Sequence, residues 1–430
     1  MTSAPEQPAD RPEAMPLLVR TVELETAQVA SLVEALPALA DPAQLSSWVR
    51  GGEGLVGWGR ALSVETHCAD RFRAAQDWWR ATAESALVRD EVGLPGTGLV
   101  CFGSMAYSPD SPRGGALVVP EVVVGRRGER WWVTTASTQG LAPLPAVTPQ
   151  PAPLPPRSVA YSDGALSATR WSGRVAEAVR RITAGELDKV VLARDLQVDA
   201  TGPIDVRWLL QRLTERYANT WVFAVDGLVG ATPEMLVRLE RGLVTSRVLA
   251  GTIRRTGDDE HDLHLAASLA RSSKDLEEHE YAVRSVVDAL APHCSSVTAP
   301  ESPFVLHLPN VMHLATDVAG VVADGSTSLV LAESLHPSAA VCGTPRDAAD
   351  AVIAELEGMD RGRYAGTVGW MGAGGDGEWG IGLRSGAFEP GDASRMRLFA
   401  GCGIVAGSDP RAEVAESNAK LVPMRDALSS

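Results

Sequence analysis

Lysine is rare in this sequence. Of the 39 basic residues only Lys189, Lys274 and Lys420 are lysines, and the others are arginines. An ammonium group can lose its proton and act as a base, whereas the guanidinium group of arginine stays charged in proteins. A coding bias towards arginine would also explain the scarcity, and it would leave lysine where arginine cannot replace it. The segments around the three lysines are therefore the first candidates for chemistry.

Lys420 belongs to a carboxylate-bearing helix predicted over Arg411–Leu428. Glu413, Glu416 and Lys420 recur at positions i, i+3 and i+7, which places them on one helical face. The preceding Ser408-Asp409-Pro410 supplies a capping side chain and a proline for the first turn. A solvated row of ion pairs would have the same spacing, so the helix alone does not identify a site.

The segment before that helix favours a site. FAGCGIV has the composition of an apolar strand, and its Gly401 and Gly403 carry no side chain, so a ligand can approach the backbone N–H groups. The strand, its glycines and the acidic helix together predict one wall of a binding site.

A second acidic segment, KDLEEHE, contains Lys274. Its Glu277, Glu278, His279 and Glu280 are consecutive, so only one or two of them can face a site if the segment is helical. Carboxylate oxygens from two separate helices, completed by water and substrate, are the ligands that Mg²⁺ uses. The segment therefore offers a partner for the carboxylates of the closing helix.

Lys189 lies in the strand-like segment LDKVVLARDLQV, where alternation puts it on the same face as Val191 and Ala193. Burial on such a face lowers the pKa of a lysine and makes it a general base near neutral pH. A lysine at a strand end can instead extend to water. Glu234, which follows a Thr-Pro turn, and the pair Gly251-Thr252 are weak signals taken singly.

The elements around these segments are of both types. Helical periodicity predicts helices, and alternation with turn residues predicts strands and hairpins. Runs of neighbouring strands with intervening helices indicate an α+β fold with large antiparallel sheets. Helices are expected at Ala69–Ser85, Ser167–Ala184, Glu277–Leu290 and Arg411–Leu428. Strands are expected at Pro16–Glu23, Leu187–Val198, Trp221–Val225 and on both sides of Gly242, with a hairpin turn near Arg126-Arg127-Gly128.

Composition narrows the class of protein. A hydrophobic content of 45% supports a large core, and a net charge of −15 argues against a nucleic-acid binder. Five cysteines without CxxC spacing, no apolar run long enough to span a membrane and no signal peptide predict a cytoplasmic protein. His261 and His264, in the polar stretch DDEHDLH, are predicted to be exposed rather than metal ligands.

The sequence also suggests an organisation along the chain. Residues 1–15 are polar and Pro-rich and are predicted to be a disordered tail. Residues 141–157 form a Pro-rich segment, which could be a linker between domains or a surface crossing within one. We expect a single domain over residues 16–430, with an N-terminal portion (16–140) and a catalytic portion (165–428).

Taken in order, these segments resemble the chorismate-utilising enzyme family, which includes isochorismate, salicylate, anthranilate and aminodeoxychorismate synthases. The resemblance implies an α+β fold whose large antiparallel sheets form a sandwich-like core with helices packed outside. The matching segments are KVVLAR, GATPEML, VLAGT, KDLEEH, VMHLATDVAG, LHPSAAVCG, RGRYAGTVGW, GIGLRS and FAGCGIVAGSDPRAEVAESNAK.

The resemblance implies a role for each matching position. Mg²⁺ would be held by Glu278 and Glu416, with Glu413 close by. Lys189 would be the general base and Glu234 the general acid. The metal would grip the ring carboxylate of chorismate. The enolpyruvyl carboxylate would be held by Tyr364, Arg384, Lys420 and the backbone near Gly403, and the ring site would be lined by His313, Thr252 and the backbone near Gly401.

Four positions distinguish activities within the family. Lys189 stands where members that use water carry lysine and anthranilate synthase carries glutamine. Ala250 stands where aminodeoxychorismate synthase has a nucleophilic lysine. His336 and Ala340 resemble the form found in isochorismate synthases, so the implied activity is Mg²⁺-dependent conversion of chorismate to isochorismate.

Alternatives remain open at this point. Salicylate synthase would share Lys189 and Glu234 and then eliminate pyruvate, an aminating subunit would need a glutaminase partner, and an inactive homologue would bind chorismate only. The substrate partner is a small molecule, no nucleic-acid or membrane partner is expected, and the chain is predicted to be a monomer or homodimer. Isochorismate supplies menaquinone, siderophore and salicylate biosynthesis, and the sequence does not choose among them.

Overall fold

The computed structural model describes residues 16–25, 28–307 and 311–429, except for the side chains of Lys274 and Glu278. The predicted tail, residues 1–15, lies outside the described part. Within this part the chain forms a 13-stranded and a 10-stranded β-sheet with eight α-helices, which confirms the predicted α+β class.

The helices are α1 (Arg71–Ser85), α2 (Ala168–Thr183), α3 (Val206–Arg216), α4 (Asp259–Leu269), α5 (Ser273–Leu290), α6 (Ser328–Ser334), α7 (Arg346–Leu356) and α8 (Pro410–Ala427). The strands of the N-terminal portion are β1 (Leu18–Leu24), β2 (Leu45–Arg50), β3 (Glu53–Trp58), β4 (Leu62–Thr66), β5 (Leu87–Asp90), β6 (Val100–Met105), β7 (Gly115–Val119), β8 (Val122–Arg127) and β9 (Arg130–Ser137).

The strands that follow the Pro-rich segment are β10 (Ala160–Asp163), β11 (Lys189–Asp199), β12 (Trp221–Val225), β13 (Leu228–Thr232), β14 (Met235–Glu240), β15 (Leu243–Arg254), β16 (Cys294–Thr298), β17 (Phe304–His307), β18 (Val311–Val322), β19 (Gly343–Thr344), β20 (Thr367–Gly372), β21 (Gly377–Ile381), β22 (Ser385–Glu389) and β23 (Asp392–Ile404).

Both sheets mix strands from the two portions of the chain. The larger sheet has the order β10-β11-β23-β22-β13-β12-β2-β3-β8-β9-β1-β5, with β19 beside β11. The smaller sheet has the order β16-β18-β15-β14-β21-β20-β6-β7-β4, with β17 beside β18. Among the described residues every strand pair is antiparallel except β1 with β5. Residues 141–156 lie between the portions without helix or strand, and the number of domains stays a prediction.

The core has a layer between the sheets and further layers under the helices. Trp48, Phe223 and Trp132 of the larger sheet pack with Phe102 and Trp370 of the smaller one. On another face of the larger sheet, α3 and α8 bury their leucine and methionine side chains against β12, β13 and β23. Burial of apolar area on this scale is the main force that holds the layers together.

The predicted elements agree closely with the observed ones. Helix α2 begins at its capping residue Ser167, whose hydroxyl accepts from the Arg170 N–H, and ends before Gly185. Helix α5 begins four residues before the predicted Glu277, because the Ser272 hydroxyl caps the Asp275 N–H. Within the described part of the chain no helix is both long and apolar enough to cross a bilayer.

Candidate active site

Eleven of the twelve predicted site residues line one cavity of about 470 Å³. The cavity lies among β11, β15, β18, β23 and the first turns of α8. The twelfth residue, Glu278, lies on α5, and its side chain is outside the described part of the structure. The lining residues predicted from sequence are Lys189, Glu234, Thr252, His313, Tyr364, Arg384, Gly401, Gly403, Glu413, Glu416 and Lys420.

Lys189 opens strand β11 and lies directly over the backbone of β23. A Cβ atom built on Gly403 would be 3.1 Å from Lys189 Cε and 3.8 Å from Lys189 Nζ. Any side chain at position 403 would therefore press on the lysine side chain. On its other edge Lys189 pairs with Thr344 of β19. The glycine at 403 makes room for the lysine rather than only for a ligand.

Glu234 lies between β13 and β14 and is 8% exposed. Its backbone is fixed on both sides: its N–H donates to Thr232 Oγ1 (3.2 Å), and its carbonyl accepts from Ile381 N (3.1 Å). Burial raises the pKa of this carboxyl to about 7, even though the nearby Lys189 and other cations favour its charged form. Glu234 can therefore hold a proton close to neutral pH, as a general acid must.

Thr252 and His313 face each other across strands β15 and β18. Thr252 Oγ1 and His313 Nδ1 are 2.9 Å apart, and the bulge that brings them together has Gly251 at φ +74°. His313 Nε2 is buried without a hydrogen-bond partner among the described residues. Burial, helped by the Arg384 and Lys420 charges, lowers the pKa of His313 to about 3, so the ring is neutral. The ring has a polar atom available to a ligand.

Lys420, Arg384 and Tyr364 bring cationic and hydroxyl groups to the cavity lining, and we call these three residues the anion-binding corner. Lys420 Nζ donates to the Gly401 carbonyl (2.9 Å) and lies 2.7 Å from Glu416 Oε1. Arg384 is held at φ +49°, and its pKa is lowered by burial. The Tyr364 ring stacks on Phe399 with centroids 5.1 Å apart. In a protein of net charge −15, this corner offers the counter-charges that a buried anion needs.

Two carboxylates on α8, which line the cavity, and a buried thiol on β23 form a second polar group. Ligand atoms of Cys402, Glu413 and Glu416 lie within 4.8 Å of one another. The helix starts where predicted, because Asp409 Oδ1 accepts from the N–H groups of the first turn and Pro410 follows it. The helix start thus fixes both carboxylates relative to β23.

The protonation of this group suits a hard cation. Glu413 Oε2 is buried with no hydrogen-bond partner in the described part of the chain, and burial raises the Glu413 pKa. For Glu416, burial would raise the pKa, but Lys420 and Arg384 outweigh it and lower the value. Burial raises the Cys402 pKa to about 12, so the sulfur remains a thiol and donates to the Glu413 carbonyl (3.4 Å). The oxygens are therefore the donors that a cation such as Mg²⁺ would use.

Consecutive residues of the acidic segment on α5 point to different surroundings, as the helical period requires. His279 is buried and its Nε2 lies 2.7 Å from Thr316 Oγ1, whereas Glu280 pairs with Arg284 on the surface. His261 and His264 are exposed on α4, which confirms that prediction.

The site also contains residues that were not predicted as site residues. Asp275 and Arg361 line the cavity, although both lie in segments that carried the family resemblance, and Cys402 joins the two carboxylates. Of the two positions that distinguish activities in the LHPSAAVCG segment, Ala340 lines the cavity. His336 is buried and does not line the cavity, and its Nε2 donates to the Tyr107 carbonyl (3.0 Å).

Comparisons with known proteins agree with this arrangement. The model of the family described as "Chorismate binding enzyme" matches residues 7–429. The chain is 34% identical to the salicylate biosynthesis isochorismate synthase of Pseudomonas aeruginosa over 87% of this chain and 82% of that protein. It is 31% identical to isochorismate synthase MenF of Bacillus subtilis over 87% and 85% of the two chains. The solved structure of MenF, the menaquinone-specific isochorismate synthase of Escherichia coli, superposes with a TM-score of 0.78 at 25% identity, covering 97% of this chain and 96% of that one.

Proposed function

The chain belongs to the chorismate-binding enzyme family, and we propose that it is an isochorismate synthase that converts chorismate to isochorismate. The observation that carries the proposal is that Lys189 and Glu234, a candidate base and a candidate acid, line one cavity together with the anion-binding corner. Relatives that bear the isochorismate synthase name, at 31–38% identity, support the same activity.

The reaction exchanges one hydroxyl for another at a different ring carbon. Lys189 takes a proton from water as the water oxygen bonds to C2 of the ring. The two ring double bonds shift, the C4–O bond breaks, and Glu234 gives its proton to the departing hydroxyl. The Glu234 pKa of about 7 supports this assignment, because a carboxyl with its ordinary pKa of 4.5 would be ionised at neutral pH.

The substrate is a dianion, and the cavity has separate groups for its two carboxylates. Arg384, Tyr364 and Lys420 would bind the enolpyruvyl carboxylate, with the backbone at Gly403 beside them. His313 and Thr252 would line the ring site with the backbone at Gly401. A neutral His313 can donate or accept one hydrogen bond without adding charge to the ring site.

Glu413 and Glu416 fit a magnesium ion, and Glu278 on α5 is the further ligand that the family resemblance implies. The buried, unpartnered Oε2 atom of Glu413 supports this assignment within the described residues. The bound ion would neutralise the ring carboxylate of chorismate during the displacement.

The proposal extends to cellular context. All five cysteines are free thiols in the described structure, which supports a reducing compartment and therefore the cytoplasm. The relatives are named for menaquinone, 2,3-dihydroxybenzoate and salicylate biosynthesis, so the proposed product is one that several routes can consume. A monomeric or homodimeric state stays a prediction.

Product identification tests the proposal. The purified chain is incubated with chorismate and Mg²⁺, and the products are identified by chromatography and NMR. Isochorismate as the main product supports the proposal. Pyruvate and salicylate would identify a salicylate synthase, and an amine formed only when ammonium is added would identify an aminating subunit. Chorismate binding without turnover would identify an inactive homologue.

A further inference from the structure

Strand β11 has an incomplete outer edge in the middle of the site. One edge pairs with β23 over residues 190–199, but the other pairs with β19 only at residues 189–190 and with β10 only at residues 196–199. Between these points two backbone bonds remain, from the Val191 N–H to the Cys342 carbonyl (2.7 Å) and from the Gly164 N–H to the Asp195 carbonyl (3.3 Å). Side chains bind other backbone groups of this stretch. The Val191 carbonyl accepts from Arg361 Nη2 (2.7 Å), the Ala193 N–H donates to Glu357 Oε1 (2.6 Å), and the Ala193 carbonyl accepts from Trp171 Nε1 (3.0 Å).

Arg361 and Glu357 form a fully buried ion pair beside this edge. Their side chains are 3% and 2% exposed, and they share two hydrogen bonds, from Nε to Oε2 (2.9 Å) and from Nη2 to Oε1 (2.5 Å). A buried ion pair is seldom more stabilising than apolar side chains of the same size. Stability alone is therefore a weak explanation for this pair.

The pair also connects β11 to the segment that leads into β19. Arg361 Nη1 donates to the Val341 carbonyl (2.8 Å), two residues before β19 begins. Strand β19 is the partner of Lys189 on that edge. Arg361 thus binds both segments that meet at Lys189: it binds β11 through the Val191 carbonyl and the segment leading into β19 through the Val341 carbonyl.

The hydrogen bonds of Arg361 favour a supporting role over direct contact with substrate. Four bonds use its N–H groups inside the protein, which leaves one of its five N–H donors for the cavity that it lines. By contrast, Arg384 has no side-chain hydrogen bond described, and it lies at the anion-binding corner.

We propose that the Glu357–Arg361 pair is a positioning device that replaces the missing strand at the edge of β11 and fixes Lys189 over Gly403 in the geometry that water activation needs. This inference rests on the proposed role of Lys189 as the base. Because Lys189 is fixed through its backbone, loss of the pair should impair the chemical step and leave chorismate binding largely intact. A misplacement of about 1 Å at a reacting group can cost about 100-fold in rate.

The test compares Glu357→Gln with Glu355→Gln. Glutamine keeps the shape of Glu357, but its amide turns an N–H₂ group towards the guanidinium or the Ala193 N–H, so one bond of the pair is lost. Glu355 lies in the last turn of α7, which Glu357 follows directly, and it is 59% exposed and pairs with Arg181 on the surface. The double variant Glu357→Leu/Arg361→Met removes both charges together, which avoids a lone buried charge.

Three quantities are measured in each variant: kcat, the Kd of chorismate by calorimetry in the presence of Mg²⁺, and the ¹³C NMR signals of the lysine Cε atoms. The chain has only three lysines, so the Lys189 signal can be assigned with Lys189→Met. We expect kcat to fall at least about 10-fold in Glu357→Gln and further in the double variant. The Kd should stay within about threefold of wild type, and the Lys189 signal should move while the Lys420 signal does not. Glu355→Gln should match wild type.

Three results would overturn the proposal. An unchanged kcat with an unmoved Lys189 signal would mean that the pair does not position the lysine. A loss confined to Kd would place Arg361 in direct contact with substrate, and unfolding of the isosteric Glu357→Gln variant would reduce the pair to a fold-stabilising role. If wild type makes no isochorismate, the proposed function fails, but the Lys189 signal still reports whether the pair positions that side chain.

Discussion

Replacing Glu234 by glutamine should make the folded protein more stable at pH 8 while abolishing isochorismate formation. Glutamine resembles the protonated carboxyl in shape and stays neutral at every pH. Wild-type Glu234 is buried at 8% exposure and must ionise inside the cavity as the pH rises. The substitution therefore removes a buried negative charge that burial disfavours, and with it the proton that the reaction needs.

The magnitude follows from the raised pKa of Glu234. Burial moves this pKa from 4.5 to about 7, so between these values the unfolded chain ionises Glu234 while the folded protein keeps it protonated. The stabilisation from the raised pKa is fully present below pH 4.5, and it is lost as the pH rises through about 7. At about 1.4 kcal/mol for each pKa unit, wild type loses about 3 kcal/mol between pH 5 and pH 8 that Glu234→Gln does not lose.

The assay is urea unfolding at pH 5 and pH 8, followed by tryptophan fluorescence, without substrate or metal. The free energy of unfolding of Glu234→Gln minus that of wild type should be about 3 kcal/mol larger at pH 8 than at pH 5. Glu277→Gln, at an exposed position on α5, is the matched control and should show no such change. A difference for Glu234→Gln that is the same at both pH values would show that the carboxyl is not held protonated, and the acid assignment would lose its support.

Three further predictions concern the same cavity. Gly403→Ala should lower kcat by about 10-fold at nearly unchanged chorismate Kd, because the new Cβ would lie 3.1 Å from Lys189 Cε. The control is Gly173→Ala, at a position on α2 where a Cβ meets open space. Equal rates for the two variants would contradict the close approach of Lys189 to Gly403. Glu413→Gln should weaken Mg²⁺ binding by about 10-fold or more in calorimetry, because it removes one charged oxygen ligand, and an unchanged affinity would exclude Glu413 from the metal site. In wild type, kcat/KM should fall as the pH rises through about 7, because Glu234 loses the proton that it donates. Initial rates are measured between pH 5.5 and 9, and a kcat/KM that rises over this whole range would contradict the role of Glu234 as the acid.

Local features of the fold were predictable from the sequence. The start of α8 at Pro410 follows from the Asp409 cap, and the end of α2 before Gly185 follows from the φ of +79° that this glycine adopts. The start of α5 was placed too late, although Ser272 is a capping residue in the sequence itself. The order of strands in the two sheets was not predictable, because it depends on pairings between strands far apart in the chain, such as β2 with β12 and β6 with β20.

The site likewise has some features that could be predicted from the sequence and others that required the structure. The eleven predicted residues that line the cavity were found through short motifs that resemble those of the chorismate-utilising family, whereas Asp275 and Arg361, in the same motifs, were missed. The proposed positioning role of the Glu357–Arg361 pair could not be predicted from residue spacing, because it depends on the part of the β11 edge that lacks a neighbouring strand. Likewise, Gly403 was interpreted as a place for ligand approach, and only the structure brings Lys189 against it.

The origin of the new hydroxyl tests the proposed attack of water on chorismate most directly. Chorismate is converted in H₂¹⁸O with Mg²⁺, and the isochorismate is analysed by mass spectrometry and by the ¹⁸O-induced shift of its C2 carbon signal. Water attack with Lys189 as the base predicts one ¹⁸O atom at C2 in every product molecule made by wild type, and no conversion by Lys189→Met. Isochorismate without the label, or labelled product formed at the wild-type rate by Lys189→Met, would contradict water attack with Lys189 as the base.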